Sequence, residues 1–120
     1  MSHTKNLFSN ISSVCENVKQ RPIDLLAMAH DASHYLLTPK IVAVPKNVSE
    51  VAAIMSKASA AGAHMTFRSG GTSLSGQAGS DEILIDTRSG FKKINVLENG
   101  LKVQVEPGAT LVSVNARLMR

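Results

Sequence analysis

Residues 68–79 read Arg-Ser-Gly-Gly-Thr-Ser-Leu-Ser-Gly-Gln-Ala-Gly, with four glycines and four serines or threonines in twelve positions. They follow Met65-Thr66-Phe67, where apolar residues alternate as they do in a strand. Glycine allows positive φ and a close approach of the backbone to a ligand, and amides and hydroxyls donate to anionic oxygens. The pattern predicts a strand that runs into an anion-binding loop, called the glycine loop (residues 68–79) below.

Two common nucleotide motifs do not fit this loop. Gly71 and Gly76 have the spacing of a P-loop, but Gln77-Ala78 stand where that motif needs lysine and a hydroxyl residue. The dinucleotide fingerprint G-x-G-x-x-G is also absent. A tight turn between strands would explain a glycine pair, but it does not need so long a stretch of small residues. We therefore expect a loop that neutralises a diphosphate with amides and hydroxyls, without a metal.

The residues before the loop predict a βαβ unit. Ile41–Val44 is a continuous apolar run typical of a strand buried on both faces, and Pro45 ends it. Asn47 and Glu50 have the spacing of a reciprocal capping box. The helix that follows is predicted to end at Gly62 and to bury one stripe. That stripe comprises Val48, Val51, Ile54, Met55 and Ala58.

After the loop, residues 83–86 predict another buried strand. Asn99-Gly100 is the favoured pair for a tight hairpin turn. Residues 101–105 alternate apolar and polar side chains, which predicts a strand with one wet face. Thr110 is placed to cap a final helix. The expected fold class is α+β, with a mixed sheet.

Residues 1–38 are expected to form a helical lead-in, and residues 39–120 the first part of the binding domain. An apolar stripe, Leu7, Ile11, Val14 and Val18, predicts one helix. A second short helix is expected after Pro22. The residues on one of its sides are Ile23, Leu26, Ala27 and His30.

His30 and His34 would face one way on a helix and invite a zinc interpretation. Asp31, however, is one methylene shorter than the glutamate of the zincin motif, and no third ligand is evident. We expect no metal site here.

Composition excludes some functions. The net charge is +4, but the basic residues are scattered and aromatic residues make up only 3% of the chain, which argues against nucleic-acid binding. Cys15 is the only cysteine, and no run of ~18 apolar residues is present. We expect a cytoplasmic protein, and peripheral association with a membrane remains open.

The sequence from Phe67 to Ala78 resembles the pyrophosphate loop of the vanillyl-alcohol oxidase/p-cresol methylhydroxylase flavoprotein superfamily. It is most similar to the branch of FAD-linked D-lactate and 2-hydroxyacid dehydrogenases. Residues 41–45, 83–86 and 105–109 extend the resemblance, as does the Asp-x-Ser-x-Tyr segment at residues 31–35. The resemblance implies an FAD-binding domain of the p-cresol methylhydroxylase type in a D-lactate dehydrogenase. Dehydrogenases of D-2-hydroxyglutarate or glycolate, sugar-lactone oxidases and a free-standing nucleotide-binding module remain alternatives.

By that resemblance, the amides of Ser69–Ser73 hold the pyrophosphate, aided by the hydroxyls of Thr72 and Ser73. Gly76 and Gln77 lead toward the flavin, and Pro45 and Gly108 lie near the adenosine. The implied cofactor-binding residues are Pro45, Arg68, Ser69, Gly70, Gly71, Thr72, Ser73, Gly76, Gln77 and Gly108.

Thr72 stands where many members carry a flavin-linking histidine, so we expect FAD to be bound non-covalently. The branch implies a small 2-hydroxy acid as substrate. It also implies that the catalytic residues lie in a further part of the protein, where an iron–sulfur cluster would be compatible with the family. The electron acceptor is not implied. A chain of 120 residues is expected to be a fragment that is inactive alone and prone to self-association.

Overall fold

The computed structural model describes the backbone of residues 2–119 and the side chains of residues 6–119. The elements are α1 (Ser2–Ser12), β1 (Val18–Lys19), α2 (Pro22–Leu26), β2 (Ile41–Ala43), α3 (Val48–Ala60), β3 (Met65–Arg68), β4 (Ile83–Asp86), β5 (Ile94–Leu97), β6 (Lys102–Val105) and α4 (Leu111–Leu118). A short 3-10 helix, Glu98–Gly100, joins β5 to β6.

The main sheet has the strand order β1-β2-β4-β3. β4 pairs in parallel with β2 on one side and β3 on the other, and β1 is antiparallel to β2. The predicted mixed sheet is therefore confirmed. The connection from β2 through α3 to β3 skips one strand position, which β4 fills.

Both faces of this sheet are covered. Ile41 and Ile83 lie on one face with Leu7 and Ile11 of α1 and Ile54 of α3. On the opposite face, Met28 packs against Val42, Val44 and Leu84. Side chains alternate between the faces of a strand, so the apolar runs of β2 and β4 supply both layers. This explains why these strands lack a polar alternation.

The N-terminal prediction needs two corrections. α1 ends at Ser12, and Val18 lies in β1 opposite Ala43, because the free edge of β2 offers hydrogen bonds that a longer helix would leave unused. α2 begins at Pro22 but ends at Leu26, so Ala27 and His30 lie beyond it, and both Ile23 and Leu26 are exposed. The residues buried in this region are Met28 and Ala29, which follow the helix.

α3 begins as expected, with the Asn47 carboxamide accepting from the amide of Glu50 at 2.9 Å. In the predicted capping box the Glu50 carboxylate would accept from the amide of Asn47. It accepts instead from the amide of Lys46. Ile54 and Ala58 are buried as predicted, whereas Val48 and Met55 are exposed. The buried stripe of α3 is thus narrower than its apolar pattern.

β5 and β6 form the predicted antiparallel hairpin, separate from the main sheet. Leu97 pairs with Lys102, so four residues form the turn instead of the expected two. Glu98, Asn99 and Gly100 all have positive φ. The apolar side chains of this strand were expected to be buried, but Val105 is 48% exposed within the described chain.

α4 begins after Thr110, whose hydroxyl accepts from the amide of Ser113, as predicted. Within residues 2–119 no helix is both long and apolar enough to cross a bilayer.

Candidate functional site

The candidate site lies where three parallel strands end. Ser69 follows β3, Thr87 follows β4, and Pro45 comes two residues after β2. Carboxyl ends of parallel strands share one edge of a sheet, and open α/β sheets commonly bind ligands there. The sheet therefore brings the glycine loop, the Thr87 turn and the Pro45 turn to one edge.

The backbone amides of the glycine loop are its main feature. None of the six amides from Ser69 to Leu74 donates a hydrogen bond to any residue that the structure describes. Gly71 and Gly76 have φ of +68° and +83°. These values place both residues in the conformation that favours glycine. Consecutive unpaired amides in a glycine-rich turn form an anion-binding concavity.

The loop hydroxyls have different partners. Ser73 Oγ accepts from the amides of Ser75 and Gln77 and contacts the Gln77 side-chain oxygen, so it stabilises the loop internally. Ser69 Oγ donates to the carbonyl of Pro107 at 2.5 Å. The exposed hydroxyls of Thr72 and Ser75 have no partner among the described residues. Of the two hydroxyls expected to aid the pyrophosphate, Ser73 is therefore occupied within the loop and Thr72 is left for a ligand.

Arg68 lies on the inner side of the loop. Its side chain is buried, and Nη1 donates to the carbonyl of Met28 at 3.0 Å. A Cβ on Gly71 would stand 2.5 Å from Nη2 and 2.6 Å from Nε. Only a residue without a side chain fits between the exposed amides and this guanidinium.

A segment that precedes β2 packs on the same loop, and we call residues 28–37 the strap. The amide of Ala32 donates to the carbonyl of Gly71 at 3.1 Å. The ring of Tyr35 lies against Gly76, and Leu37 lies against Gly79. Together with the bond from Arg68 to the carbonyl of Met28, the strap thus contacts the glycine loop at four places along its length.

Sequence reasoning considered His30 and His34 of the strap as zinc ligands, and reached the Asp-x-Ser-x-Tyr segment at residues 31–35 only through the family resemblance. Asp31 Oδ1 accepts from the amide of Ser33 at 2.8 Å, and Ser33 Oγ accepts from the amide of Tyr35 at 3.1 Å. Such side-chain turns are a local signal that favours a loop here. His30 and His34 accordingly lie outside any helix, so the premise of a shared helix face is wrong.

The turn at Gly108 is joined to the same edge. Its amide donates to the carbonyl of Phe91 at 2.6 Å, and a Cβ would stand 2.7 Å from the carbonyl oxygen of Thr87. The bond from Ser69 to Pro107 links this turn to the glycine loop. Pro45 is buried, and its carbonyl lies against Gly90. Pro45 therefore contacts the turn that contains Gly90, next to Phe91.

Beside these turns lies a cavity of about 300 Å³. It is lined by residues 46–49 and by Gly90, Phe91, Lys93 and Glu106. A larger open cavity of about 460 Å³ lies between β5 and α4, away from the glycine loop. The smaller cavity is the one that adjoins predicted site residues.

An ion pair lies at the end of β4. Asp86 is buried and accepts from Arg88 Nη2 at 2.7 Å and from Nε at 3.0 Å. Burial alone would raise the pKa of Asp86, but the hydrogen bonds and charge of Arg88 outweigh it and lower the pKa. Asp86 is therefore a fixed anion beneath the edge of the site.

Comparison with known proteins connects these features to a family. The family model described as "FAD binding domain" matches residues 39–120. The structure of p-cresol methylhydroxylase with substrate bound has a TM-score of 0.81 at 14% identity, over 99% of this chain and 25% of that chain. Chitooligosaccharide oxidase has a TM-score of 0.75 at 19% identity, over 93% of this chain and 25% of that chain. Xylooligosaccharide oxidase from Myceliophthora thermophila C1, in complex with xylobiose, has a TM-score of 0.73 at 22% identity, over 97% of this chain and 25% of that chain.

At these identities the structural likeness shows the fold alone. The chain spans about a quarter of the length of these solved chains. No curated protein matches it in sequence.

Proposed function

The chain belongs to the FAD-binding domain family of the p-cresol methylhydroxylase type, and from that premise we propose that it holds the cofactor of a flavin-dependent dehydrogenase. The proposed substrate is a small D-2-hydroxy acid, with D-lactate foremost. The supporting observation is the row of six amides, Ser69–Leu74, that have no acceptor within the described chain.

The residues present fit a dinucleotide diphosphate. Gly71 and Gly76 adopt positive φ, and a Cβ at either would collide with Arg68 or Tyr35. The cradle therefore needs glycine at both positions. In the proposed complex the amides of Ser69–Ser73 and the Thr72 hydroxyl bind the diphosphate oxygens.

The family resemblance also assigns the flavin end and the adenosine end of the cofactor to parts of this chain. Gly76 and Gln77 lie further along the loop and lead toward the flavin ring. The turn at Gly108 and the 300 Å³ cavity near Pro45 are proposed for the adenosine half. Lys46 and Lys93 line that cavity together with Glu106, and the ammonium of Lys46 is paired with Glu16.

When bound, FAD supplies the acceptor for a hydride equivalent from the substrate. The part of this chain is to bind and orient the cofactor. Arg68, Ser69 and Thr72 offer no thiol, imidazole or phenol, and residues 68–79 as a whole contain none. The proposed attachment through this loop is therefore non-covalent.

The choice of substrate rests on the family resemblance of residues 67–78. The proteins of known structure named above act on a phenol or on oligosaccharides by their descriptions, so the shared fold leaves the substrate open. The resemblance of the loop to the D-lactate and 2-hydroxyacid dehydrogenase branch favours a 2-hydroxy acid over a sugar lactone, with D-lactate as the leading candidate. D-2-hydroxyglutarate and glycolate are also 2-hydroxy acids and stay as alternative substrates.

The 120-residue chain alone is expected to be inactive, so the test is to load the purified full-length protein that contains this chain with FAD and to add each candidate substrate without oxygen. Bleaching of the visible flavin absorbance by D-lactate, but not by L-lactate or xylobiose, is the expected result. Gly71→Asp serves as control, because a carboxylate within the cradle should prevent FAD retention. FAD binding without reduction by any 2-hydroxy acid would refute the substrate, and absence of FAD binding would refute the function.

A further inference from the structure

A diphosphate brings negative charge into the glycine loop, so the source of compensating charge matters. The loop has Gln77 where a P-loop has lysine. The exposed side of residues 69–79 carries no basic side chain. Amide dipoles alone would have to balance the ligand unless a cation acts from elsewhere.

Arg68 is a cation at the right place. Its residue exposure is 8%, and its guanidinium lies against Gly71, within 2.8 Å of the point where a Cβ on that glycine would stand. In such a buried setting, charges interact more strongly than they do in water. A charge there acts on an anion in the cradle across one layer of backbone.

The hydrogen bonding of Arg68 is incomplete. Nη1 donates to the carbonyl of Met28, but Nε is buried and has no partner among the described residues. Arg21 and Arg88, by contrast, each pair with an aspartate at 2.7 Å, and no such pair is found for Arg68 in the described chain. A buried cation without an ion pair is costly unless an anion approaches it.

Asp31 is the nearby acidic group on the strap. The amide of the next residue, Ala32, donates to the carbonyl of Gly71 at 3.1 Å, and Gly71 lies against Arg68. The pKa of Asp31 is lowered first by the hydrogen bonds of Ser33, then by the nearby amide of Ala78 and last by the charge of Arg68. No salt bridge joins the two side chains, and Asp31 Oδ2 is likewise buried without a partner among the described residues. Asp31 therefore neutralises Arg68 only in part.

We propose that Arg68 supplies the positive charge of the cradle, and that it does so through the loop from its inner side without touching the ligand. The inference rests on the proposed function, since it requires a diphosphate in the glycine loop. Arg68 is a positioning residue, because it acts through Gly71. The negative charge of Asp31 offsets part of the positive charge of Arg68.

The test measures the affinity of the purified protein for FAD and for inorganic pyrophosphate by calorimetry. Arg68→Met removes the charge at similar length, Arg68→Lys keeps it, and Arg21→Met is the control that removes an exposed arginine. Arg68→Met should weaken both ligands by roughly tenfold or more, as loss of a charged partner does, and Arg68→Lys should recover most of the affinity. Arg21→Met should bind like the unaltered protein.

Asp31→Asn provides a test with the opposite sign. Removing the tempering charge should tighten pyrophosphate binding by roughly two- to fivefold, whereas an exposed control, Asp81→Asn, should change it less. A purely structural role for Asp31 or Arg68 would not increase affinity in any variant.

The outcomes separate the two proposals. If the unaltered protein binds neither ligand, the proposed function fails and this inference falls with it. If it binds both and Arg68→Met binds equally well, the inference alone is overturned. If Arg68→Met does not fold, Asp31→Asn decides: tighter binding supports the inference, and unchanged or weaker binding overturns it.

Discussion

The ring of Tyr35 lies against Gly76 so closely that a Cβ on that glycine would stand 2.7 Å from ring atom Cδ2. This contact joins the strap to the far end of the glycine loop. It also explains why glycine, with φ of +83°, occupies the position.

Gly76→Ala is expected to destabilise the fold by about 1–2 kcal/mol, because alanine is strained at this φ and must displace the ring. Gly70→Ala is the matched control, since its Cβ would meet only Thr72, at 3.7 Å, and its φ is not positive. Chemical denaturation measures both. Equal stability of the two variants would contradict the contact.

Gly71→Ala should lower both stability and FAD affinity, because the Cβ would stand within 2.8 Å of the Arg68 guanidinium. Gly62→Ala measures the cost of backbone strain alone, because φ there is +63° and a Cβ would meet nothing within 4 Å. The expected cost is about 1 kcal/mol for Gly62→Ala and more for Gly71→Ala. FAD affinity should fall only in the Gly71 variant, and a parallel loss in both would argue against the cradle.

Acid precipitation of the FAD-loaded protein should release all of the flavin into the supernatant. The reason is that Thr72 cannot form a covalent link to the flavin ring. Thr72→Val should keep flavin release unchanged and weaken FAD binding, since the hydroxyl proposed for the diphosphate is lost. Flavin absorbance of pellet and supernatant measures the outcome. A yellow pellet would mean a covalent link outside residues 68–79.

The pair of Asp86 and Arg88 predicts a dependence of stability on pH. The folded pKa of Asp86 lies below its ordinary value of 3.8, so the pair stabilises the fold above about pH 4, and this stability is lost as the pH falls through the folded pKa. Asp86→Asn should cost about 1–3 kcal/mol at pH 7 and flatten the acid limb of the stability profile. Asp24→Asn, at an exposed pair, is the control and should change the profile little.

The 120-residue chain should self-associate through the exposed apolar side chains around α4. Leu111 and Val112 are 81% and 78% exposed at its start. Replacing both with glutamate should favour the monomer without loss of the helix, because acidic residues suit a helix N-terminus. Val48→Glu, at the first position of α3, is the control and should leave association unchanged. Sedimentation velocity measures the result, and a monomeric unaltered chain would refute the expectation.

The sequence predicted those features that residues close together in the chain determine. The apolar runs at Ile41–Ala43 and Ile83–Asp86, the cap at Asn47 and the glycine loop are all found where the sequence placed them. β1 was missed because two residues carry no periodicity, and its strand state comes from pairing with β2. The contact of Tyr35 with Gly76 depends on the packing of the strap, which spacing along the chain does not encode.

The position of β4 has a consequence for the synthesis of the protein. β2 and β3 leave the ribosome before β4, yet neither pairs with the other, and both pair with β4 in the finished sheet. The parallel ladders therefore cannot close until residue 86 has emerged, and until then β2 and β3 have exposed edges. Such late, non-local pairing slows folding and leaves the nascent chain open to aggregation. α1 and α3 are both complete at this stage, and both are available to shield the apolar face of β2 while the ribosome extends the chain to β4.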